Sequence, residues 1–258
     1  MNHTYSLEPG SAAIGRTTGA PSGNRPRVWA VDAARGAAIL AMVIFHFARD
    51  MEMFGLAAPG STLTGGWAVT ARITAGSFLF LSGVSLSLAH KDRIQWRAFA
   101  RRNAVLALAA LLVTIATFAA MPDSFVYFGI LHAILAASII GLAFVGRPAG
   151  IPITAAAAVA TVWVFYGRSL PLPPWLGWTG LAMSPRPALD LIPIVPWLAP
   201  AFLGIGLGKL LNLRKQSRQA GLPVRLLCWL GRKSLIIYLL HQPLLIGVIW
   251  GLSRLHSG

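Results

Sequence analysis

Seven apolar stretches, near residues 28–49, 67–89, 103–120, 125–145, 149–167, 191–210 and 233–251, divide the 258-residue chain. Each is close to the roughly 20 residues that an α-helix needs to cross a hydrocarbon layer of about 30 Å. A soluble fold could not hide so many such stretches. Hydrophobic residues make up 56% of the chain and charged residues 11%, against about 25% charged in ordinary soluble domains. The expected fold is all-α, a polytopic membrane bundle of about seven transmembrane helices. A soluble domain, a disordered chain and a disulfide scaffold are excluded. The sixth stretch carries Pro193, Pro196 and Pro200, so its first half is expected to be broken or kinked. No internal repeat is visible.

Basic residues orient the bundle, because cytoplasmic connections collect Lys and Arg. With the amino terminus inside, sixteen of the 22 basic residues fall in or beside inner segments and five (Arg49, Arg72, Arg168, Arg186 and Arg254) beside outer ones. Arg35 alone lies well within a span. The expected topology has the amino terminus cytoplasmic and the carboxy terminus external, in a cell inner (plasma) membrane. The distribution also accounts for most of the net charge of +15, so no nucleic-acid partner is implied. Residues 1–27, rich in Gly, Ser, Thr and Pro, are expected to form a disordered cytoplasmic tail before a single membrane domain over 28–258, and they lack the apolar core of a signal peptide. Between stretches five and six, Trp175 and Trp178 lie among prolines, which suits an interfacial anchor or a substrate lid. Cys228 is the single cysteine, and no Cys/His spacing suggests a metal.

Ionisable groups within apolar helices are costly and need a reason. Stretch one holds Asp32, Arg35, His46, Arg49 and Asp50. At about 100° per residue, Arg35 and His46 differ by only ~20° around the helix and lie ~16 Å apart along it. The five residues form one polar stripe that must face the protein interior. Asp32 and Arg35 are spaced to pair across a turn, and Arg35 is also placed to hold an anionic ligand. Two more histidines, His132 and His241, lie within apolar stretches, and imidazole suits proton transfer near neutral pH. In His241-Gln242-Pro243 the proline removes a helical donor from Leu239, which favours a bend and a polar wall. Gly204-x-x-x-Gly208 reads as a helix-packing face, since no strand precedes it as a nucleotide fingerprint requires. Ser82, Ser85 and Ser87 are expected to bond across helices, for no nucleophile elbow surrounds them.

Taken in order, RVWAVDAARGAAILAMVIFHF, AGSFLFLSGVSLSL, FGILHAI, IPIVPWLAPAFLGIGLGKLL and LGRKSLIIYLLHQP resemble the bacterial branch of the heparan-α-glucosaminide N-acetyltransferase catalytic-domain family. The resemblance runs from about residue 26 to 250. It implies a membrane acyltransferase that takes acetyl from cytoplasmic acetyl-CoA and delivers it to an amino sugar on the far side. Asp32 and Arg35 match the family's Asp-x-x-Arg-Gly, His132 its outer-half histidine and His241 its His-Gln-Pro. The chain has His46 where the lysosomal members have Asn. Residues 47–66 contain no His, whereas those members carry their catalytic histidine in that connection.

The expected function is acyl transfer from acyl-CoA to an external glycan or lipid acceptor. His46 is the leading base or transient acyl carrier, His132 and His241 orient substrate or relay protons, and Asp190 orients from the outer side. Asp32, Arg35, Lys209, Arg232 and Lys233 are the candidates for the donor end, where acetyl-CoA is a substrate and no metal is expected. A proton-coupled transporter or lipid flippase, and a non-catalytic assembly protein, are the alternatives that the same intramembrane groups allow.

Overall fold

The computed structural model describes residues 28–91, 93–211 and 221–256. The tail expected over residues 1–27 lies outside the described residues, as do Arg214, Lys215 and Arg218. Among the described residues the fold is all-α. Its helices are α1 (Trp29–Met53), α2 (Gly65–Ala89), α3 (Trp96–Ala120), α4 (Ile130–Gly141), α5 (Gly150–Tyr166), α6 (Ile194–Leu210), α7 (Leu222–Arg232) and α8 (Ser234–His256). Four of them, α1, α2, α3 and α8, are long and apolar enough to cross a membrane. Three more are apolar but shorter: α4 with the 3-10 turn that continues it to Phe144, α5 and α6.

These seven coincide with the apolar stretches, with shifted ends. Helix α3 starts at Trp96, well before the apolar run, because Arg97, Arg101 and Arg102 are good helix formers that prolong it. Helix α4 starts late. Ser124–Gly129 run extended instead and bond to residues 189–192, with Leu189 N–H donating to the Ser124 carbonyl and Ile192 N–H to that of Phe128. In α6 the break falls at Val195, whose φ/ψ of −98°/122° is not helical, and the helix continues through Pro200.

Helix α7 corrects the sequence reading, which left residues 211–232 as a connection. Its signals are modest: a proline in the first turn and Arg232 in the last. It is amphipathic and packs across the amino-terminal half of α1. A β-carbon on Gly36 would fall inside the Leu227 carbonyl, and one on Gly231 inside that of Asp32. The Cys228 thiol donates to the Trp29 carbonyl at 3.4 Å.

Helices α2 and α6 form the other close pair. Gly83 lies against the Ala201 carbonyl and Gly204 against that of Phe80, while Gly208 meets Ser87 and Val84. The packing role expected of Gly204 and Gly208 is thus observed. The serines behave differently from expectation. Ser82 and Ser87 donate to carbonyls of their own helix, at Leu79 and Val84, and only Ser85 takes a bond from another helix. A hydroxyl three or four residues along can always reach its own backbone, and the tight glycine contacts leave no partner closer. Leu79, Leu86, Ile205 and Phe202 fill the core between these helices. The outside of the bundle is apolar: Leu108, Leu111, Leu112 and Ile115 on α3, and Val164 and Phe165 on α5, are all exposed. Such a surface requires lipid around it, and the molecule is a membrane protein.

Candidate active site

The α1 stripe faces inward as its spacing requires. Asp32 and Asp50 are buried and Arg35, His46 and Arg49 partly so, while Leu40, Ile44 and Phe47 occupy the outward face. Arg35 donates to Asp32 at 3.3 Å and, through its other terminal nitrogen, to the Ser85 hydroxyl at 2.7 Å. The expected ion pair is present, and it also ties α1 to α2.

A cavity of about 920 Å³ opens beside this pair. Arg35, Arg101, Arg102 and Arg232, from α1, α3 and α7, line it together with the buried His90 and with Ser85. Four guanidinium groups around one cavity form an anion site, since their planar forks match phosphate oxygens. Of the expected donor residues, Asp32, Arg35 and Arg232 border the cavity; Lys209 and Lys233 are not among its lining residues. Lys209 donates to the Phe144 and Arg147 carbonyls, so its ammonium closes the end of the 3-10 turn after α4. Lys233 caps α7. The sequence reading assigned Arg101 and Arg102 only to inside charge. Their position one helical stretch before an apolar run gave no sign that they face a cavity.

The cavity is also lined by Ile130 and Tyr238, of which the first bonds Asp190 and the second lies beside His241. The His241 ring lies 5.6 Å from that of Tyr238 and bonds its carbonyl through Nδ1 at 2.6 Å. His46 meets His241 edge to face, with ring centroids 4.8 Å apart, and bonds the Met42 carbonyl through its own Nδ1 at 2.9 Å. A carbonyl only accepts, so each Nδ1 carries the hydrogen and each Nε2 of the neutral ring keeps a lone pair. The structure therefore joins two of the three candidate histidines into one pair of bases, held by helices α1 and α8. Helix α8 runs through Pro243.

His132 and Asp190 both serve the first turn of α4. The Gly129 N–H donates to His132 Nδ1 at 3.2 Å, and the His132 ring stacks on Phe128. The Ile130 N–H donates to Asp190 Oδ2 at 3.0 Å. His132 spends its Nδ1 on the helix start, with Thr114 3.4 Å from its Nε2. Asp190 interacts electrostatically with His46 and with Tyr238, so it borders the histidine pair while it caps the helix.

Burial pushes the Asp190 carboxyl above the ordinary carboxylate range, and the Ile130 N–H and His46 draw it back only in part. A carboxyl raised on folding favours the native state below its unfolded value, and that contribution fades as pH climbs through the folded value. Asp190→Asn keeps an oxygen for Ile130 and has no proton to lose. Its thermal stability in detergent should depend less on pH across that limb. Asp190→Ala should lose about 0.5–2 kcal/mol where the carboxyl is protonated, as for a deleted cap, and that loss should shrink as pH climbs through the folded value.

A helical membrane bundle with an arginine-lined cavity and, beside Tyr238 of its wall, a pair of histidines on two helices is the arrangement that the described residues define. The chain belongs to the family described as "Heparan-alpha-glucosaminide N-acetyltransferase, catalytic", whose pattern matches residues 27–243. No curated protein and no solved structure matches the chain.

Proposed function

We propose that the protein is a membrane acetyltransferase that uses acetyl-CoA and acylates a glycan or lipid acceptor on the opposite face. The observation that carries this reading is that one cavity is lined both by four arginines and by Tyr238, whose ring lies 5.6 Å from that of His241. Phosphates of the donor would lie at Arg35, Arg101, Arg102 and Arg232. The pantetheine arm would follow α1, along which Arg35 and His46 are ~16 Å apart.

At the far end the acceptor hydroxyl or amine attacks the thioester carbonyl, with His46 Nε2 taking the departing proton. The new bond to the acceptor forms as the carbon–sulfur bond breaks, and the proton passes on to the thiolate, which leaves as free CoA. No acyl-enzyme is needed. Trapping of radiolabelled acetyl on His46 in the absence of acceptor would replace this direct route with a covalent one.

The direction of transfer rests on the asymmetry of the basic residues, which places the arginine end in the cytoplasm. A reporter active only outside the cytoplasm should work when fused at Gly258 and stay silent when fused at Gln216. The reverse pattern would invert donor and acceptor sides. The decisive test is equilibrium binding of labelled acetyl-CoA to the full chain in lipid nanodiscs. Saturable binding that desulfo-CoA displaces and a phosphate-free thioester fragment does not supports the reading, whereas proton-driven uptake without acetyl-CoA binding would support a transporter.

A further inference from the structure

Helix α7 turns one side to α1 and the opposite side away from the protein. Leu227, Cys228 and Gly231 are the residues that meet α1. On the other side Leu222, Leu226 and Trp229 fall within ~60° of one another around the helix, and they are 51–68% exposed. With Trp29 they line a groove of about 640 Å³, bordered by Arg225 and Arg232. The groove is separate from the donor cavity, and one side chain, Arg232, lines both.

The position of the charges sets this face apart from that of a helix that merely rests on a membrane surface. Such a helix turns its arginines to water, opposite its apolar side. In α7 that opposite side is packed on α1. Arg225 and Arg232 stand instead at the edge of the apolar face, ~40–60° round from Trp229 and ~10 Å apart along the helix, so two long side chains can reach one headgroup. Among the described residues neither guanidinium has a hydrogen-bond or ion-pair partner. Helix α7 meets α1 at Asp32 and Gly36, within about two turns of the first residue of that span, which puts the groove at the level of lipid headgroups. The indoles of Trp29 and Trp229 suit the same level. Two unengaged guanidinium forks beside an apolar groove complement a molecule with an acidic head and an apolar tail.

We propose that this groove binds an anionic phospholipid, with an acyl chain along Leu222, Leu226 and the two indoles and the phosphate at Arg225 and Arg232, and that the lipid competes with the donor for Arg232. The competition rests on the acetyl-CoA reading; the lipid site does not. The phosphate adds a negative charge beside the donor cavity and occupies one of its four guanidinium groups, and both effects weaken the hold on a polyanionic donor. Membrane composition would then set how much of the protein carries acetyl-CoA.

The experiment places the full chain in nanodiscs of phosphatidylcholine alone and of phosphatidylcholine mixed with phosphatidylglycerol. Arg225→Gln is the informative variant, since Arg225 lines the groove and is not among the residues that line the donor cavity. In phosphatidylcholine the two proteins should bind acetyl-CoA alike. With phosphatidylglycerol present, the Kd of the unmodified protein should rise by about fivefold more than that of Arg225→Gln, the attraction of one guanidinium to an anionic surface. The general repulsion of acetyl-CoA by an anionic membrane acts on both proteins and cancels. Native mass spectrometry reads the lipid directly: the unmodified protein should retain one phosphatidylglycerol more than Arg225→Gln. Equal retention by the two proteins, or no preference for phosphatidylglycerol over phosphatidylcholine, overturns the lipid site. Selective retention with equal shifts in Kd overturns the competition for Arg232. If the unmodified protein binds acetyl-CoA in neither membrane, the donor reading falls, and the difference in retained lipid alone decides the groove.

Discussion

His46→Ala should bind acetyl-CoA as the unmodified protein does and lose turnover by roughly 10²–10⁴-fold, the range for removal of a general base. The expectation follows from the geometry of the pair. His46 is bonded through Nδ1 to Met42, four residues back on its own helix, and lies against His241, whose neighbour Tyr238 lines the cavity. Arg35 lies about three turns away along α1, the other cavity arginines are on α3 and α7, and none is bonded to the imidazole. Binding and turnover should therefore separate. A second histidine 4.8 Å away offers partial replacement, so His46→Ala/His241→Ala should fall further than either single change, and less than the product of the two. Equal turnover in His46→Ala and the unmodified protein would take this residue out of the reaction.

Gly36→Val should be the most damaging substitution for the donor end. Helix α7 approaches α1 so closely that the Leu227 carbonyl occupies the space of a Gly36 side chain. No flexible side chain is there to yield, so the helices must separate. Overpacking of this kind costs about 1–3 kcal/mol or more. Gly231 and Arg232 line the cavity from α7, so the same displacement should weaken acetyl-CoA binding. The measurement is a thermal midpoint together with a binding isotherm. A lowered midpoint with unaltered affinity would show that the α7 wall of the cavity does not contribute to the donor site.

Much of this arrangement was legible in the sequence, for reasons that differ by residue. The α1 stripe and the Asp32–Arg35 pair follow from helical periodicity and from the cost of charge in lipid, which leave one orientation open. The packing role of Gly204 and Gly208 follows from small residues at a four-residue spacing. Helix α7 was missed because eleven residues that begin at Leu222-Pro223 and carry Arg225 and Arg232 look like a connection when they are not seen against α1. Arg101 and Arg102 were hidden by a rule that they also obey, for inside charge and cavity lining draw on the same residues. The convergence of His46, His241, Asp50 and Gln242 depends on how two helices nearly 200 residues apart cross, and local sequence carries no record of that crossing.

The short helices have a consequence for the span of the reaction. Residues 130–144, α5 and α6 rise only about 22–26 Å at 1.5 Å per residue, less than the hydrocarbon layer of about 30 Å. The difference is filled by folded irregular chain: residues 124–129 paired with 189–192, and residues 170–183 closed by bonds between Leu170 and both Leu181 and Met183. Backbone groups in this layer are bonded to each other, as they must be away from water. On this side the helical part of the wall is several ångströms shorter than a typical hydrocarbon layer, and irregular backbone makes up the rest. In the proposed reaction, the arm that carries the thioester would run beside this wall of short helices and irregular backbone.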